Sequence, residues 1–291
     1  MNTQKSIDQS EILKYAFSKD QGPLGDVTSL ALIPEHQLAT AEFVVKAESG
    51  IVSGLNIAKK VYKLLDPSIS FSALVTNGTP IKKGDILAAV SGPARTILLG
   101  ERISLEFLRR MSGIATKTAN FVNETKGTNT VILDTRKILP AFGELDKQAV
   151  KDGGGQNHRL NLSEMGLIKN NHLDILKGDI TKAIASFREK YPNIPLEIEV
   201  RDKIELAEAL ANNPDRIMLD NMNTEETKNS VATRNEYKAK TNKYIPLEAS
   251  GNMTLDRIKE VADTGVDYIS VGALTHSVEA FDISLHITFN N

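Results

Sequence analysis

Two rhythms of apolar and polar positions run along this chain, and the change between them near Gly127 sets its expected organisation. Before that point, strand patterns at Ala41–Lys46, Phe71–Val75 and Ile86–Val90 gather around one apolar-periodic helix at Ile57–Leu65, punctuated by Gly50, Gly54, Gly78, Gly84 and Gly92. Strands grouped with a single helix suit an α+β module rather than a βαβ repeat. A short helix around Ile12–Phe17 and a glycine-containing loop at Gly22–Asp26 precede the module. Leu98–Met111 follows it as a long helix, expected to stop at Ser112-Gly113.

After Gly127 the order becomes strand, loop, helix. Apolar runs at Val131–Leu133, Gly166–Ile168, Leu196–Val200, Arg216–Leu219, Ile245–Glu248 and Tyr268–Val271 alternate with helical patterns such as Ile180–Lys190, Lys203–Leu210 and Leu255–Thr264. Nearly every run ends in polar or glycine residues: Asp134 and Arg136, Lys169, Glu199, Asp220, Glu248 with Ser250, then Gly272. In a βα-barrel all these ends open on one face, whereas a doubly wound sheet gathers only those at its switch point, so the even spread favours the barrel. Asp282–Phe289 alternates as a final strand expected to return to the first module. The expected division is an N-terminal domain at 1–112, joined by 278–291, and a barrel at 113–277.

Composition narrows the function classes. With 41% of 291 residues hydrophobic the chain can bury a full core, and a net charge of -2 argues against a nucleic-acid or membrane-surface protein. The absence of cysteine removes disulfides, thiolate nucleophiles and cysteine-ligated metals. Met1–Ser10 is polar without an apolar signal core, and no run approaches the roughly 18 apolar residues of a membrane span, so a soluble cytoplasmic protein is expected.

Against this neutral background, Ile132–His172 concentrates Arg136, Lys137, His158, Arg159, Lys169 and His172 around a Gly153-Gly154-Gly155 run. Arginine offers a planar fork for carboxylate or phosphate and lysine a compact point charge. Any one of these residues could simply pair with Asp134, Asp146 or Asp152; four or more at strand ends point to an anionic ligand. Glu199 and Asp220, ending successive strands, suit Mg²⁺, ribose hydroxyls or developing positive charge, with ion pairing to the basic set as the plainer reading. Glu197 shares the face of Glu199, deeper in. Ser250-Gly251-Asn252 and Ser270-Val271-Gly272-Ala273-Leu274 place glycine after the last two strands, where backbone N–H groups often meet phosphate. No G-x-x-x-x-G-K-[ST], H-E-x-x-H or G-x-S-x-G motif is present.

Ordered pieces over nearly the whole chain resemble the quinolinate phosphoribosyltransferases. They are Gly25-Asp26-Val27-Thr28-Ser29, Glu101-Arg102-Ile103-Ser104-Leu105, Ser112-Gly113-Ile114-Ala115-Thr116, Asp134-Thr135-Arg136-Lys137, the run Gly153 to Arg159, Leu167-Ile168-Lys169, Leu219-Asp220-Asn221, Glu248-Ala249-Ser250-Gly251 and Ser270 to Ser277. The resemblance implies an N-terminal open sandwich with an incomplete, TIM-like βα-barrel, and an obligate homodimer with shared active sites. It implies the reaction of quinolinate with phosphoribosyl pyrophosphate to nicotinate mononucleotide, pyrophosphate and CO₂, with Mg²⁺. By position, Arg136, His158, Arg159 and Lys169 would grip the pyridine carboxylates, and Arg102 would reach in from the neighbouring subunit. Lys137, Glu199, Asp220, Ser250, Gly251 and Gly272 would hold the phosphoribosyl donor, with Glu199 and Asp220 at the metal.

The sequence departs from the family pattern in several places. Ile138 replaces a threonine, Pro140-Ala141-Phe142-Gly143 replaces Pro-Gly-Leu-Arg, Glu106 an asparagine, Gln148 a tyrosine and Lys46 an arginine. These changes bear on the acceptor more than on the donor. They leave open a relative acting on nicotinamide or another less acidic pyridine. A non-catalytic paralogue associated with molybdate transport is a third reading, which Asn157, Lys169 and His172 disfavour.

Overall fold

The structure, a computed structural model, describes residues 9–289; of the polar stretch Met1–Ser10, residues 1–8 lie outside it. In chain order the elements are α1 Gln9–Gln21, α2 Val27–Leu32, β1 Leu38–Val45, β2 Ser49–Ile51, α3 Leu55–Leu65, β3 Ser70–Ala73, β4 Pro80–Lys82, β5 Ile86–Pro93 and α4 Ala94–Glu124. Then come β6 Val131–Leu133, α5 Gly143–Asp152, β7 Gly166–Ile168, α6 Asn170–Ile175, α7 Ile180–Lys190, β8 Leu196–Val200, α8 Lys203–Ala211 and β9 Arg216–Asp220. The chain ends with α9 Thr224–Thr241, β10 Leu247–Ser250, α10 Leu255–Ala262, β11 Tyr268–Ser270, α11 Ala273–His276 and β12 Ile283–Phe289. Contacts divide it into two compact units, one of 1–117, 139–154 and 278–291 and the other of 118–138 and 155–277. Among the described residues no helix is long and apolar enough to cross a membrane.

The first unit is built on an antiparallel sheet in the order β12-β1-β5-β3, so the last strand does pair with β1. Alternation along β1 sends Ala39, Ala41, Phe43 and Val45 into a core where Phe43, Tyr62 and Phe71 meet with ring centroids 6.0–6.3 Å apart. A small β2–β4 pair lies beside it. The expected helix stop at Ser112-Gly113 is corrected: α4 continues to Glu124. Gly113 is there for close approach, because a Cβ at this position would stand 2.0 Å from the Glu279 carbonyl oxygen.

The second unit is a parallel six-stranded sheet in the order β6-β11-β10-β9-β8-β7. Strands β6 and β7, neighbours in sequence, stand at opposite ends of that order, which makes the βα-barrel incomplete. The run expected at Ile245–Glu248 is displaced, since β10 starts only at Leu247. Pro246 has no N–H to give the ladder, although its carbonyl accepts the Ile217 N–H at 3.1 Å. Leu196, Ile198 and Val200 occupy one face of β8, and Glu197 with Glu199 the other, yet all five are buried. Carboxylates inside a barrel require partners, and those partners build the site.

Candidate active site

The segment after the glycine run attaches to the free edge of β6. Gln156 N–H donates to the Ile132 carbonyl at 2.9 Å and Asp134 N–H donates to the Gln156 carbonyl at 3.1 Å, so Gln156 bridges to Leu133 in parallel register. That anchor delivers the next residues to the strand ends. Asp134, fully buried, accepts the His158 backbone N–H at 2.8 Å, and His158 Nδ1 accepts the Arg159 N–H at 2.8 Å.

The C-terminal strand ends surround a cavity of about 620 Å³. Of the residues singled out in the sequence, Arg136, Lys137, His158, Arg159, Lys169, Glu199, Asp220, Ser250, Gly251 and Gly272 all line it. Arg102 does not: it lies on α4 in the first unit, exposed, with Nη1 3.3 Å from Glu106 Oε1. His172 is also outside the lining, and its Nδ1 accepts the Lys169 N–H at 2.9 Å at the start of α6. Ile138, within the same unit as the cavity, does not border it.

Arg136 and Arg159 crowd one another. Burial first, and then the Arg136 charge, lower the hold of the Arg159 guanidinium on its proton, partly offset by Glu197 and Glu199. Arg159 Nη1 is steadied by the Met165 carbonyl at 2.8 Å, which gives it direction without neutralising it. The lining holds four permanent cations, Arg136, Lys137, Arg159 and Lys169, against the carboxylates Glu199, Asp220 and Glu248. An anion with two charged groups would relieve that crowding.

On the acidic side, Lys169 Nζ donates to Glu199 Oε1 at 2.8 Å. Asn170, which the sequence did not single out for the site, links the two carboxylates. Its backbone N–H donates to Glu199 Oε2 at 3.3 Å and its side-chain amide to Asp220 Oδ2 at 3.1 Å. Asp220 Oδ1 accepts from Asn221 Nδ2 at 3.0 Å. Each of these four oxygens has two lone-pair directions, so the pair still fits Mg²⁺, which is commonly held by one or two carboxylates with substrate phosphates and water. Beside Asp220, Gly251 has φ +99 and packs on Asn221, where a Cβ would stand 2.1 Å from Asn221 Oδ1; Gly272 is so close to the lysine that a Cβ there would stand 2.9 Å from Lys137 Cδ. Thr275 Oγ1 donates to the Lys137 carbonyl at 2.7 Å and pins that residue's backbone.

Beneath the cavity lies a charged layer. His158 Nε2 is 2.9 Å from Glu197 Oε2 and 3.5 Å from Glu248 Oε2, and Arg216 Nη1 is 2.9 Å from Glu248 Oε2. The Arg216 guanidinium also stacks over Tyr268, 4.2 Å from the ring centroid. Burial pushes Glu197 and Glu248 both up to about 7, with Arg216 pulling the other way on each. Among the described residues His158, Glu197 and Glu248 form the one cluster of three metal-type ligands within 4.8 Å. With Nδ1 accepting the Arg159 N–H, the proton of the neutral ring is assigned to Nε2, so this nitrogen has no lone pair for a metal.

Fold and site together define a βα-barrel whose strand ends gather four cations, three carboxylates and two glycine loops around one cavity. The quinolinate phosphoribosyl transferase C-terminal domain model matches residues 114–286 and the N-terminal domain model residues 26–112. The chain therefore belongs to the quinolinate phosphoribosyltransferase family. It is 40% identical to the chloroplastic nicotinate-nucleotide pyrophosphorylase (carboxylating) of Oryza sativa subsp. japonica, over 97% of this chain and 78% of that protein. A probable nicotinate-nucleotide pyrophosphorylase (carboxylating) of Bacillus subtilis is 37% identical over 97% of this chain and 94% of its own. The nicotinate-nucleotide pyrophosphorylase structure from Francisella tularensis superposes with a TM-score of 0.88 at 33% identity, covering 96% of each chain.

Proposed function

We propose that this enzyme transfers the phosphoribosyl group of phosphoribosyl pyrophosphate to quinolinate, giving nicotinate mononucleotide, pyrophosphate and CO₂ in NAD biosynthesis. The observation that carries this reading is the pair of crowded guanidiniums, Arg136 and Arg159, beside Lys169: an acceptor with two carboxylates matches them in number and charge. A neutral carboxamide would offer the two guanidiniums no charge to pair with.

Division of labour follows from charge. Arg136, Arg159 and Lys169 hold the diacid so that its ring nitrogen faces the ribosyl carbon, while Lys137, Ser250, Gly251 and Gly272 hold donor phosphates. As pyrophosphate departs, positive charge grows on the ribose, and Glu199 with Asp220 face it. Mg²⁺, held by Glu199, Asp220 and the donor, would supply charge neutralisation to the leaving pyrophosphate. Once the nitrogen bears the ribosyl group, its positive charge takes up the electron pair of the breaking C2–carboxylate bond; CO₂ leaves and C2 receives a proton. The same reading makes the active form a homodimer in which Arg102 serves the neighbour's site, and it sets the reaction in the cytoplasm, in keeping with a chain free of cysteine.

The test is kcat/KM for quinolinate, nicotinate and nicotinamide at fixed donor and Mg²⁺. Quinolinate should lead by at least about a hundredfold, the range expected when a site built to pair charged groups meets a ligand lacking one. A preference for nicotinamide would overturn the reading.

A further inference from the structure

The charged layer under the cavity contains groups for which the reaction above has no direct use. Glu197 is fully buried, Glu248 is fully buried, and Arg216 sits at the start of β9, the far end from the cavity mouth. Buried ion pairs are seldom kept for stability alone, since apolar residues of similar volume often do as well or better. What this layer touches is His158, and what His158 touches is the backbone of Arg159.

We infer that Glu197, backed by Glu248 and Arg216, is a positioning residue for the acceptor: by holding the His158 proton on Nε2 it keeps Nδ1 available to the Arg159 N–H, and so aims the Arg159 guanidinium. This deepens the proposed function and rests on it. The argument is one of donors and acceptors. An N–H on Nδ1 would face the Arg159 N–H donor against donor at 2.8 Å, which excludes both the other neutral tautomer and the doubly protonated ring from this geometry. The remaining proton sits on Nε2, which lies 2.9 Å from Glu197 Oε2 and 3.5 Å from Glu248 Oε2; the angle makes no hydrogen bond, so the attraction is between the carboxylate charge and the polar N–H. Arg216 at 2.9 Å keeps Glu248 in place, and the Asp134 carboxylate holds the His158 backbone N–H at 2.8 Å. His158 is only 8% exposed, with Nδ1 taken by the Arg159 N–H and Nε2 facing the Glu197 charge without a hydrogen bond to it, so it serves the diacid through Arg159 rather than by its own charge.

The experiment uses the full-length protein and the variant Glu197→Met, which keeps volume but removes the acceptor, with Glu197→Gln as the conservative control whose amide oxygen can still face Nε2–H. Long-range ¹⁵N NMR of the histidines in the wild type should report His158 with a protonated Nε2 and a bare Nδ1, and Glu197→Met should lose that single pattern. KM for quinolinate should rise about tenfold, the size of one lost interaction with a charged group, while KM for phosphoribosyl pyrophosphate changes less than about twofold and the melting temperature does not fall. Glu197→Gln should recover most of the acceptor affinity. A wild-type His158 protonated on Nδ1 would overturn the inference, as would an unchanged quinolinate KM in Glu197→Met. Parallel loss of acceptor affinity, donor affinity and melting temperature would also overturn it, marking a merely structural layer. If the wild type fails to turn over quinolinate, the activity reading falls, and the NMR pattern with calorimetric binding of the diacid still decides the positioning role.

Discussion

Replacing Gly272 by alanine isolates the contribution of Lys137 with little disturbance elsewhere. Gly272 has φ -64 and ψ -31, a helical conformation that alanine adopts freely, so the backbone carries no strain. The added Cβ would stand 2.9 Å from Lys137 Cδ, against an ordinary contact of 3.4 Å or more, and 3.2 Å from His276 Cδ2. Lys137 must therefore swing Cδ away by about 0.5 Å, and its ammonium, further along the same arm, by roughly 1 Å; misplacement on that scale costs up to about a hundredfold in rate. Gly272→Ala should lower kcat/KM for phosphoribosyl pyrophosphate by about tenfold to a hundredfold, with global stability within about 1 kcal/mol of wild type. Steady-state kinetics with quinolinate saturating, alongside urea unfolding, would measure both. In a Lys137→Ala background the same change should do little, because the displaced arm is already gone. Equal losses in the two backgrounds, or a loss that tracks unfolding, would refute the claim that Gly272 acts through Lys137.

Asp220→Ala should raise KM for phosphoribosyl pyrophosphate by about tenfold or more and leave quinolinate binding by calorimetry within about twofold, since a carboxylate suits metal or ribose and repels a diacid. Mixing Arg102→Ala and Lys137→Ala proteins under subunit exchange should restore part of the activity if sites are shared; demonstrated exchange without recovery would count against sharing. Stability should depend on pH through the buried acids: with Glu197 and Glu248 raised to about 7, the folded state binds more protons than the unfolded state between about 4.5 and 7. Wild-type stability should therefore fall across that window relative to Glu197→Gln, by on the order of 3 kcal/mol, and a pH-independent difference in denaturation midpoints would contradict it.

Much of the barrel was legible because its strands are short apolar runs that end abruptly in charge, and the ten barrel residues carried over as a site do line one cavity. What escaped had weaker local signals. Helix α9 is polar on nearly every face and gives no apolar period; only the Asn223–Glu226 capping box marks its start. Gly113 reads locally as a helix stop, and the carbonyl of Glu279 that explains it is remote in sequence. Asn170 follows an expected strand end and looks like any loop residue until Glu199 and Asp220 are brought beside it. Alternation along β8 put Glu197 on the face of Glu199, but period two does not reveal that Glu248, Arg216 and His158 converge on it from other strands and a loop. Arg102 is the opposite case: the resemblance assigns it to a site in a neighbouring subunit, while this chain shows it paired with Glu106 on its own helix.

The central claim is that the cationic side of the cavity holds a diacid that loses one carboxylate as CO₂. Its most direct test supplies purified enzyme, phosphoribosyl pyrophosphate and Mg²⁺ with quinolinate labelled at the 2-carboxylate, and counts labelled CO₂, pyrophosphate and mononucleotide together. The account predicts equal amounts of all three, and loss of all three in an Arg136→Ala, Arg159→Ala double variant. Pyrophosphate or mononucleotide formed without labelled CO₂ would contradict it.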